Sequence, residues 1–322
     1  MKILVTGACG RIGSHVVRQL LQRDIDVVGI DSLVHGGNLG DVTGRVPLAV
    51  ADVCDLAAVL RVMQTHAVTR VIHLAAALGD HYDTHPWRSY QVNLGGTINV
   101  LEAARFAGVE RVAAASTHNI YPRAYGEHGP PAWRPIAEDH APDPRRPYAV
   151  MKLAGEQMGR IYADRFDVDF AAVRFASYYG AERAIRRGSN FPDLLNRMIL
   201  DAVEGVPTRI ERGGDQVFDP VYIKDCAHGV ICAALADGPR RGRVYNIGGG
   251  SPLRLADAAA VVRRVMPAAR IEVGPGLPDG LGHHPPLDIT RARTEIGYAP
   301  QFTLEQGVAD CAVALRRLKE AT

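Results

Sequence analysis

Lys2-Ile-Leu-Val-Thr6-Gly7-Ala-Cys-Gly10-Arg11-Ile12-Gly13, running on to Asp31, is the stretch that decides the fold. The short apolar run closed by a glycine predicts a buried strand. Ser14 to Arg23 has helical periodicity through Val16, Val17, Leu20 and Leu21. Val27-Val28-Gly29-Ile30 predicts a second strand, with Asp31 at its end. Strand, glycine turn, helix, strand and acid together make a dinucleotide-binding unit. The glycines allow a tight turn and close approach of backbone to pyrophosphate, and the helix N-terminus supplies N–H donors and positive dipole. Asp31 stands where a carboxylate meets a ribose 2′-hydroxyl and would repel a 2′-phosphate. NAD is therefore expected over NADP, with Arg11 as the residue that could soften the preference.

The alternation continues outward from that unit. Pro47 to Val50 predicts a third strand, followed by Asp52-Val53 at adenine distance, and Leu56 to Thr65 predicts a helix. Val71 to Leu74 is a fourth strand ending in Ala75-Ala76-Ala77, Asn93 to Ala107 a helix, and Val109 to Ala115 a fifth strand ending in Ser116-Thr117. Strands alternating with helices imply a doubly wound parallel α/β sheet of Rossmann type, with ligands beyond the carboxyl ends of its strands. Tyr121 to Pro147 is proline- and glycine-rich and is expected to wall the substrate cleft. After a sixth strand at Phe170–Phe175 the regular alternation breaks down, and two helical stretches are expected beyond Ser251. The expected division is a cofactor domain at 1–175, rejoined by 216–247, and a smaller C-terminal α/β substrate lobe at 176–215 and 248–322.

Tyr148 and Lys152 fall at i, i+4 behind the turn Pro144-Arg145-Arg146-Pro147, and so share one helix face. Only four residues of the chain are lysines: Lys2, Lys152, Lys224 and Lys319. A phenol of pKa ~10 is a poor acid–base group at neutral pH, and a neighbouring ammonium favours its ionised form. The pair is a candidate general acid/base. Gly155 and Gly159 continue the face and are small enough to admit another backbone or a cofactor.

The bulk numbers exclude several classes. With 322 residues, 47% hydrophobic, 22% charged and net charge +2, the chain is an ordinary soluble protein with no electrostatic case for nucleic acid or membrane partners. Five scattered cysteines without a C-x-x-C pair argue for a reducing compartment. Met1-Lys2 runs straight into a strand-like segment, so no signal peptide is expected. A cytoplasmic location is expected. His81 and His85 have i, i+4 spacing but no third ligand, so no metal is expected.

Further motifs narrow the field. They are Thr6-Gly7-x-x-Gly10-x-x-Gly13, Asp31, Asp52-Val53, His73-Leu74-Ala75-Ala76, Asn93 with Gly96-Thr97-x-Asn99, Ser116-Thr117 before Tyr121, and Tyr148-x-x-x-Lys152. Later come Val173-Arg174-Phe175, Val221-Tyr222-Ile223-Lys224-Asp225, Tyr245-Asn246-Ile247-Gly248 and Ile296-Gly297-Tyr298-x-Pro300. Over nearly its whole length the chain resembles the extended short-chain dehydrogenase/reductases, the NAD-dependent epimerase/dehydratase group. The resemblance implies an oxidoreductase in which Tyr148 moves the proton and Lys152 lowers its pKa and holds the nicotinamide ribose. Thr117 would hydrogen-bond the reacting oxygen. Gly7, Gly10, Arg11, Ile12 and Gly13 would hold pyrophosphate, and Asp31, Asp52, Val53, Leu74, Ala75, Ala76 and Asn93 would complete the cofactor site. Thr117, His118, Ser177, Asn190 and His81 are the candidate substrate contacts. A homodimer through the helices carrying Asn93 and Tyr148 is also implied.

Departures from the family bear on substrate. Ser177 stands where nucleotide-sugar enzymes usually have asparagine, Phe218 where they have an arginine, and His283-His284 where a further arginine is common. Two lost cations leave a diphosphate poorly neutralised, unless Arg183, Arg186 and Arg187 take over. His118-Asn119 replace the acidic pair of the dehydratases, which argues against dehydration. The expected reaction is net dehydrogenation of a sugar-like or other hydroxylated small molecule. A redox-neutral nucleotide-sugar 4-epimerase (an isomerase) and a non-catalytic NAD sensor or scaffold are the alternatives.

Overall fold

β1 (Lys2–Thr6) buries side chains on both of its faces: Ile3 and Val5 enter one apolar cluster and Leu4 another. The computed structural model describes residues 1–32, 38–78, 85–181, 191–277 and 282–320. After β2 (Asp26–Asp31) and β3 (Leu48–Val50), the two-sided burial recurs in β4 (Arg70–His73), β5 (Arg111–Thr117) and β6 (Asp169–Phe175). Ile72, Ala113, Ala171 and Val173 join Ile3, while Val71, Val112, Phe170 and Ala172 join Leu4. Covering both faces requires the continuous apolar runs seen in the sequence. Each fully buried Val, Leu or Ile contributes roughly 1.5–3 kcal/mol.

Among the described residues seven strands form one parallel sheet, in the order Arg243–Ile247, β6, β5, β4, β1, β2, β3. The chain reverses direction across the sheet between β1 and β4, which opens a crevice at their carboxyl ends. Beyond β6, three two-stranded sheets pair Ser177–Tyr179 with Pro220–Tyr222, Thr208–Ile210 with Ile271–Val273, and Val217–Phe218 with Leu253–Arg254. They surround a third core that includes Tyr179, Met198, Phe218, Tyr222, Val262 and Leu315. No helix of the described residues is long and apolar enough to cross a membrane.

Three local expectations change. The helix expected from Asn93 becomes α-helical only at Gly96–Ala107, behind a π-helical turn at Tyr90–Gly95. The tail after Ser251 holds three helices, Leu255–Val265, Thr290–Ile296 and Leu304–Glu320, rather than two. The middle one is seven residues long, too short for a helical period to register. Gly155 and Gly159 serve packing rather than cofactor approach. A Cβ on Gly159 would lie 2.3 Å from the Phe170 ring, and one on Gly155 would lie 3.4 Å from Thr97.

The 121–147 segment is pinned at both ends of its course. Ala124 N–H donates to His283 O (3.1 Å), Ile136 N–H to Pro286 O (2.8 Å), and Asp288 N–H to Ile136 O (2.9 Å). Beneath it, buried Arg174 makes a two-pronged ion pair with Glu156 (2.6 and 2.9 Å) and donates to Tyr121 Oη (2.8 Å) and Glu138 O (3.1 Å). Tyr121 Oη–H passes on to Asn246 Oδ1 (2.8 Å), whose backbone N–H donates to Glu138 Oε1 (2.8 Å). The loop is thus bolted to the helix Pro147–Arg165, to β6 and to the Arg243–Ile247 strand.

Candidate active site

A cavity of about 610 Å³ lies along the carboxyl edge of the sheet. At one end is the glycine turn. Gly7 has φ +67°, and a Cβ there would meet Ala75 N at 2.8 Å. A Cβ on Gly13 would sit 2.0 Å from Gly7 O. Gly10 N–H donates to Gly7 O (3.0 Å) and Ser14 N–H to Gly10 O (3.1 Å), so the turn leads directly into the helix Arg11–Leu21. Asp31 Oδ2 accepts from Cys9 N–H (2.9 Å), which ties the acid to the turn. A backbone cradle that a single methyl would fill, opening on a helix N-terminus and flanked by a carboxylate, fits the pyrophosphate and ribose of NAD.

The next wall is held by a chain of hydrogen bonds. Thr6 Oγ1 accepts from Leu74 and Ala75 N–H (3.2 Å each) and faces His73 Nδ1 at 2.7 Å. His73 Nε2 lies 3.2 Å from Thr97 Oγ1, which donates to Asn93 O (2.8 Å). Burial, and then the Lys152 charge, push His73 down to about 3. A neutral imidazole with its proton on Nε2 satisfies every member of the chain. Asn93 stands behind the wall and does not line the cavity. Its side-chain amide brackets Ala77, accepting from N–H (2.9 Å) and donating to O (3.0 Å), and also donates to Ser89 Oγ (3.1 Å). Its amide holds the Ala75-Ala76-Ala77 segment in place.

At the far end β5 delivers Ser116 and Thr117, and the helix Pro147–Arg165 delivers Tyr148 and Lys152. Lys152 is 4% exposed. Its Nζ donates to Ala115 O (2.9 Å) and lies 5.8 Å from the centroid of the Tyr148 ring. Burial pulls the ammonium down to about 8, against the opposing pull of Glu156 one turn further along the helix. Glu156 also accepts from Ser116 Oγ.

Gly7, Gly10, Arg11, Ile12, Gly13, Asp31, Asp52, Val53, Leu74, Ala75, Ala76, Thr117, His118, Tyr148, Lys152 and Ser177 line this one cavity. His81, Asn190, Arg183, Arg186 and Arg187 lie outside the described residues. Phe218 is buried in the third core, 1% exposed, and presents nothing to the cleft. Sequence reasoning missed two lining arginines. Arg88 pairs with Asp52 at 3.5 Å, and Arg146 is the N-cap residue of the Tyr148 helix. The signal for Arg146 was present: it immediately precedes the proline that starts the helix. Among the described residues, no three of His, Cys, Asp and Glu gather as metal ligands do.

The NAD dependent epimerase/dehydratase family profile matches residues 3–248. The chain belongs to that family. A UDP-glucose 4-epimerase of Mycolicibacterium smegmatis is 31% identical over 328 residues, covering 96% of both chains. A dTDP-glucose 4,6-dehydratase of Shigella flexneri is 30% identical, covering 96% of this chain and 91% of the relative. The Thermus thermophilus UDP-glucose 4-epimerase, solved with NAD, superposes with a TM-score of 0.82 at 26% identity, covering 98% of this chain and 99% of that one. Cradle, fold and family agree: this epimerase/dehydratase family member is an NAD-dependent enzyme of the extended short-chain dehydrogenase/reductase type.

Proposed function

We propose that the chain oxidises a secondary hydroxyl of a sugar-like small molecule, with Tyr148 as the general base and Thr117 as the hydrogen-bond partner of the reacting oxygen. The observation that carries this reading is the Lys152 ammonium, buried beside the Tyr148 ring within the cavity that starts at the glycine cradle. Oxidising a carbinol removes a proton from oxygen and a hydride from carbon. Gly7, Gly10, Gly13 and Asp31 would hold NAD, which would supply the hydride acceptor. Lys152 makes the phenolate accessible at neutral pH by offering it a near positive charge, and the Ala115 carbonyl holds that ammonium in place. In the reverse direction Tyr148 returns the proton to a carbonyl. Asp31 on the ribose side favours NAD over NADP.

Removing the phenol tests the assignment. Tyr148→Phe is expected to lower kcat by about 10²–10⁴-fold while leaving NAD affinity within a few-fold of wild type. Unchanged turnover would remove Tyr148 from the chemistry, and its absence in both proteins would favour a non-catalytic NAD sensor.

A redox-neutral nucleotide-sugar 4-epimerase is the second reading, favoured by the match to UDP-glucose 4-epimerases along the whole chain. NADH absorbance that grows with substrate supports dehydrogenation, and isomerised product without NADH supports epimerisation. We also infer a homodimer. Trp87 and Tyr90, stacked at 5.3 Å, stay exposed, as do Val150 and Ile161 of the Tyr148 helix, which packs against the turns carrying the two rings, and a second copy would cover such apolar side chains. The cofactor domain would comprise 1–175 with 216–247 and the substrate lobe the remainder, in a cytoplasmic protein.

A further inference from the structure

The polar side chains that line the cavity fall into two groups. At the cofactor end they are engaged within the chain. Asp31 accepts from Cys9 N–H and Asp52 from Cys54 N–H (2.9 Å each), and Asp52 also pairs with Arg88. Further along, Ser116 donates to Glu156 and Lys152 to Ala115 O. Arg146 also lines the cavity and already interacts within the chain.

The neutral side chains of the substrate end are not engaged in this way. Thr117 Oγ1 accepts from Asn119 N–H (3.2 Å), which leaves its own proton uncommitted. The His118 ring, the Asn119 amide and the Ser177 hydroxyl have no hydrogen-bond partner among the described residues, and all line the cavity. Thr117 and Ser177 are only 5% and 7% exposed. Elsewhere such groups are paired: among the described residues only Arg70 Nε and Gln216 Oε1 are sealed from solvent without a hydrogen-bond partner. Unpaired polar groups gathered on one wall of a cleft are a desolvation cost unless a ligand completes them.

His118 is held there as a neutral ring. It opens the turn His118–Ile120 that Thr117 caps, and it packs on the His284 ring with centroids 4.7 Å apart. Burial, and then the Arg123 charge, bring it down to about 4. A neutral imidazole has one N–H donor and one acceptor nitrogen, and the Asn119 amide offers donors and an acceptor oxygen. A carboxylate only accepts and an ammonium only donates, so either leaves half of this pair unmatched. A hydroxyl does both.

We propose that His118 and Asn119 are specificity-determining residues that read the hydroxyls flanking the reacting carbinol, so that the substrate is a neutral polyol with a hydroxyl vicinal to the carbon presented to Thr117. The inference rests on the carbinol reading above for which carbon faces Thr117. The uncommitted Thr117 proton serves the reacting oxygen, and the imidazole and amide serve its neighbours. A substrate lacking such a hydroxyl leaves them buried and unpaired, which is the strongest form of discrimination a polar pocket offers.

The test titrates NAD-loaded protein with D-glucose, its 2-, 3-, 4- and 6-deoxy analogues, D-glucuronate and UDP-glucose, with binding followed by ligand-observed NMR. Loss of at least one hydroxyl is expected to weaken binding by about tenfold or more. His118→Phe keeps a ring against His284 and is expected to bring D-glucose down to the level of that deoxy sugar, whose own affinity stays unchanged. Asn119→Ala should narrow the same gap. His118→Gln, a neutral donor and acceptor, should restore most of it, which a purely structural ring would not allow. NAD affinity within a few-fold of wild type shows that each variant is folded, and the wild-type series stands without any variant. Equal affinity for D-glucose and all the deoxy sugars overturns the proposal, as does D-glucuronate binding more tightly than D-glucose. Discrimination that survives His118→Phe and Asn119→Ala together also overturns it, and so does binding of neither D-glucose nor UDP-glucose. Discrimination that depends on His118, with neither NADH nor an isomer formed from either parent sugar, would strike the carbinol reading instead and leave the pair standing.

Discussion

The two ends of the cavity are built in opposite ways. The cofactor end is mostly backbone: a turn whose Gly13 has no space for a methyl, a helix terminus, and Asp31 tied back to Cys9 N–H. The substrate end is mostly side chain, assembled from β5 and the turn after it (Ser116 to Asn119), the Tyr148 helix and 175–178, while the 121–147 loop contributes Arg146 to the lining rather than a wall. Backbone architecture recognises what every member of a family shares, whereas side chains on loops can be exchanged without disturbing the sheet. The cofactor end therefore identifies the enzyme type, and the substrate end carries what is particular to this chain.

The joint between the two ends is the place to break this contrast with the largest effect. Glu156 sits in the core with Arg174 and Ser116, one turn from Lys152. Glu156→Gln leaves a buried guanidinium without its counter-charge, a loss of about 3–5 kcal/mol. Chemical denaturation should show that loss, and proteolysis should reach the 121–147 loop sooner, because Arg174 also fastens Tyr121 and Glu138. Wild-type stability in the variant would mean that the loop is held by its backbone bonds to 282–288 alone.

A smaller effect separates cofactor choice from substrate choice. Asp31→Asn removes the charge that should bond the ribose, a charge-assisted hydrogen bond worth roughly 1.5–3 kcal/mol. NAD affinity should fall by about ten- to a hundredfold, and the preference over NADP should narrow, with kcat at saturating NAD unchanged. Nucleotide titration and turnover at saturating NAD check both halves. An equal loss of kcat would show that the two ends are not independent.

How far the sequence could be read follows the same divide. The cradle from Thr6 to Gly13, Asp31 and the Tyr148–Lys152 pair are local patterns, legible because turn, helix start and i, i+4 face are each fixed within a few residues. Asn93 was legible as a position but not as a role, because its amide is spent on Ala77 and only the fold brings the two together. Arg123 meeting His284, 161 residues away, leaves no local trace. The helix Thr290–Ile296 escaped because two turns following a proline-rich segment carry too little periodicity. Gly159 misled because a glycine in a helix face looks the same whether it admits a cofactor or, as here, the Phe170 ring.

Lys152 belongs to both ends, and its titration gives the smallest and most local of these tests. Burial lowers it from 10.5 to about 8 while Glu156 resists the change. Between about pH 8 and 10.5 the unfolded chain binds a proton at this lysine that the folded chain has released. Stability from this group therefore rises with pH across that window, and its burial cost is fully present below about 8. Other groups titrate there too, including cysteines whose burial raises them, so the quantity to follow is the difference between wild type and Lys152→Met. That difference should shift in favour of wild type by up to about 1.4 kcal/mol per pH unit. With only four lysines in the chain, ¹³C-methylated lysine resonances can be assigned by single substitutions. The Lys152 signal should titrate near 8, and lower still in whatever folded fraction of Glu156→Gln remains. A signal titrating with the exposed lysines would mean that the ammonium is hydrated, and the cavity would lose the dry positive charge on which the Tyr148 assignment depends.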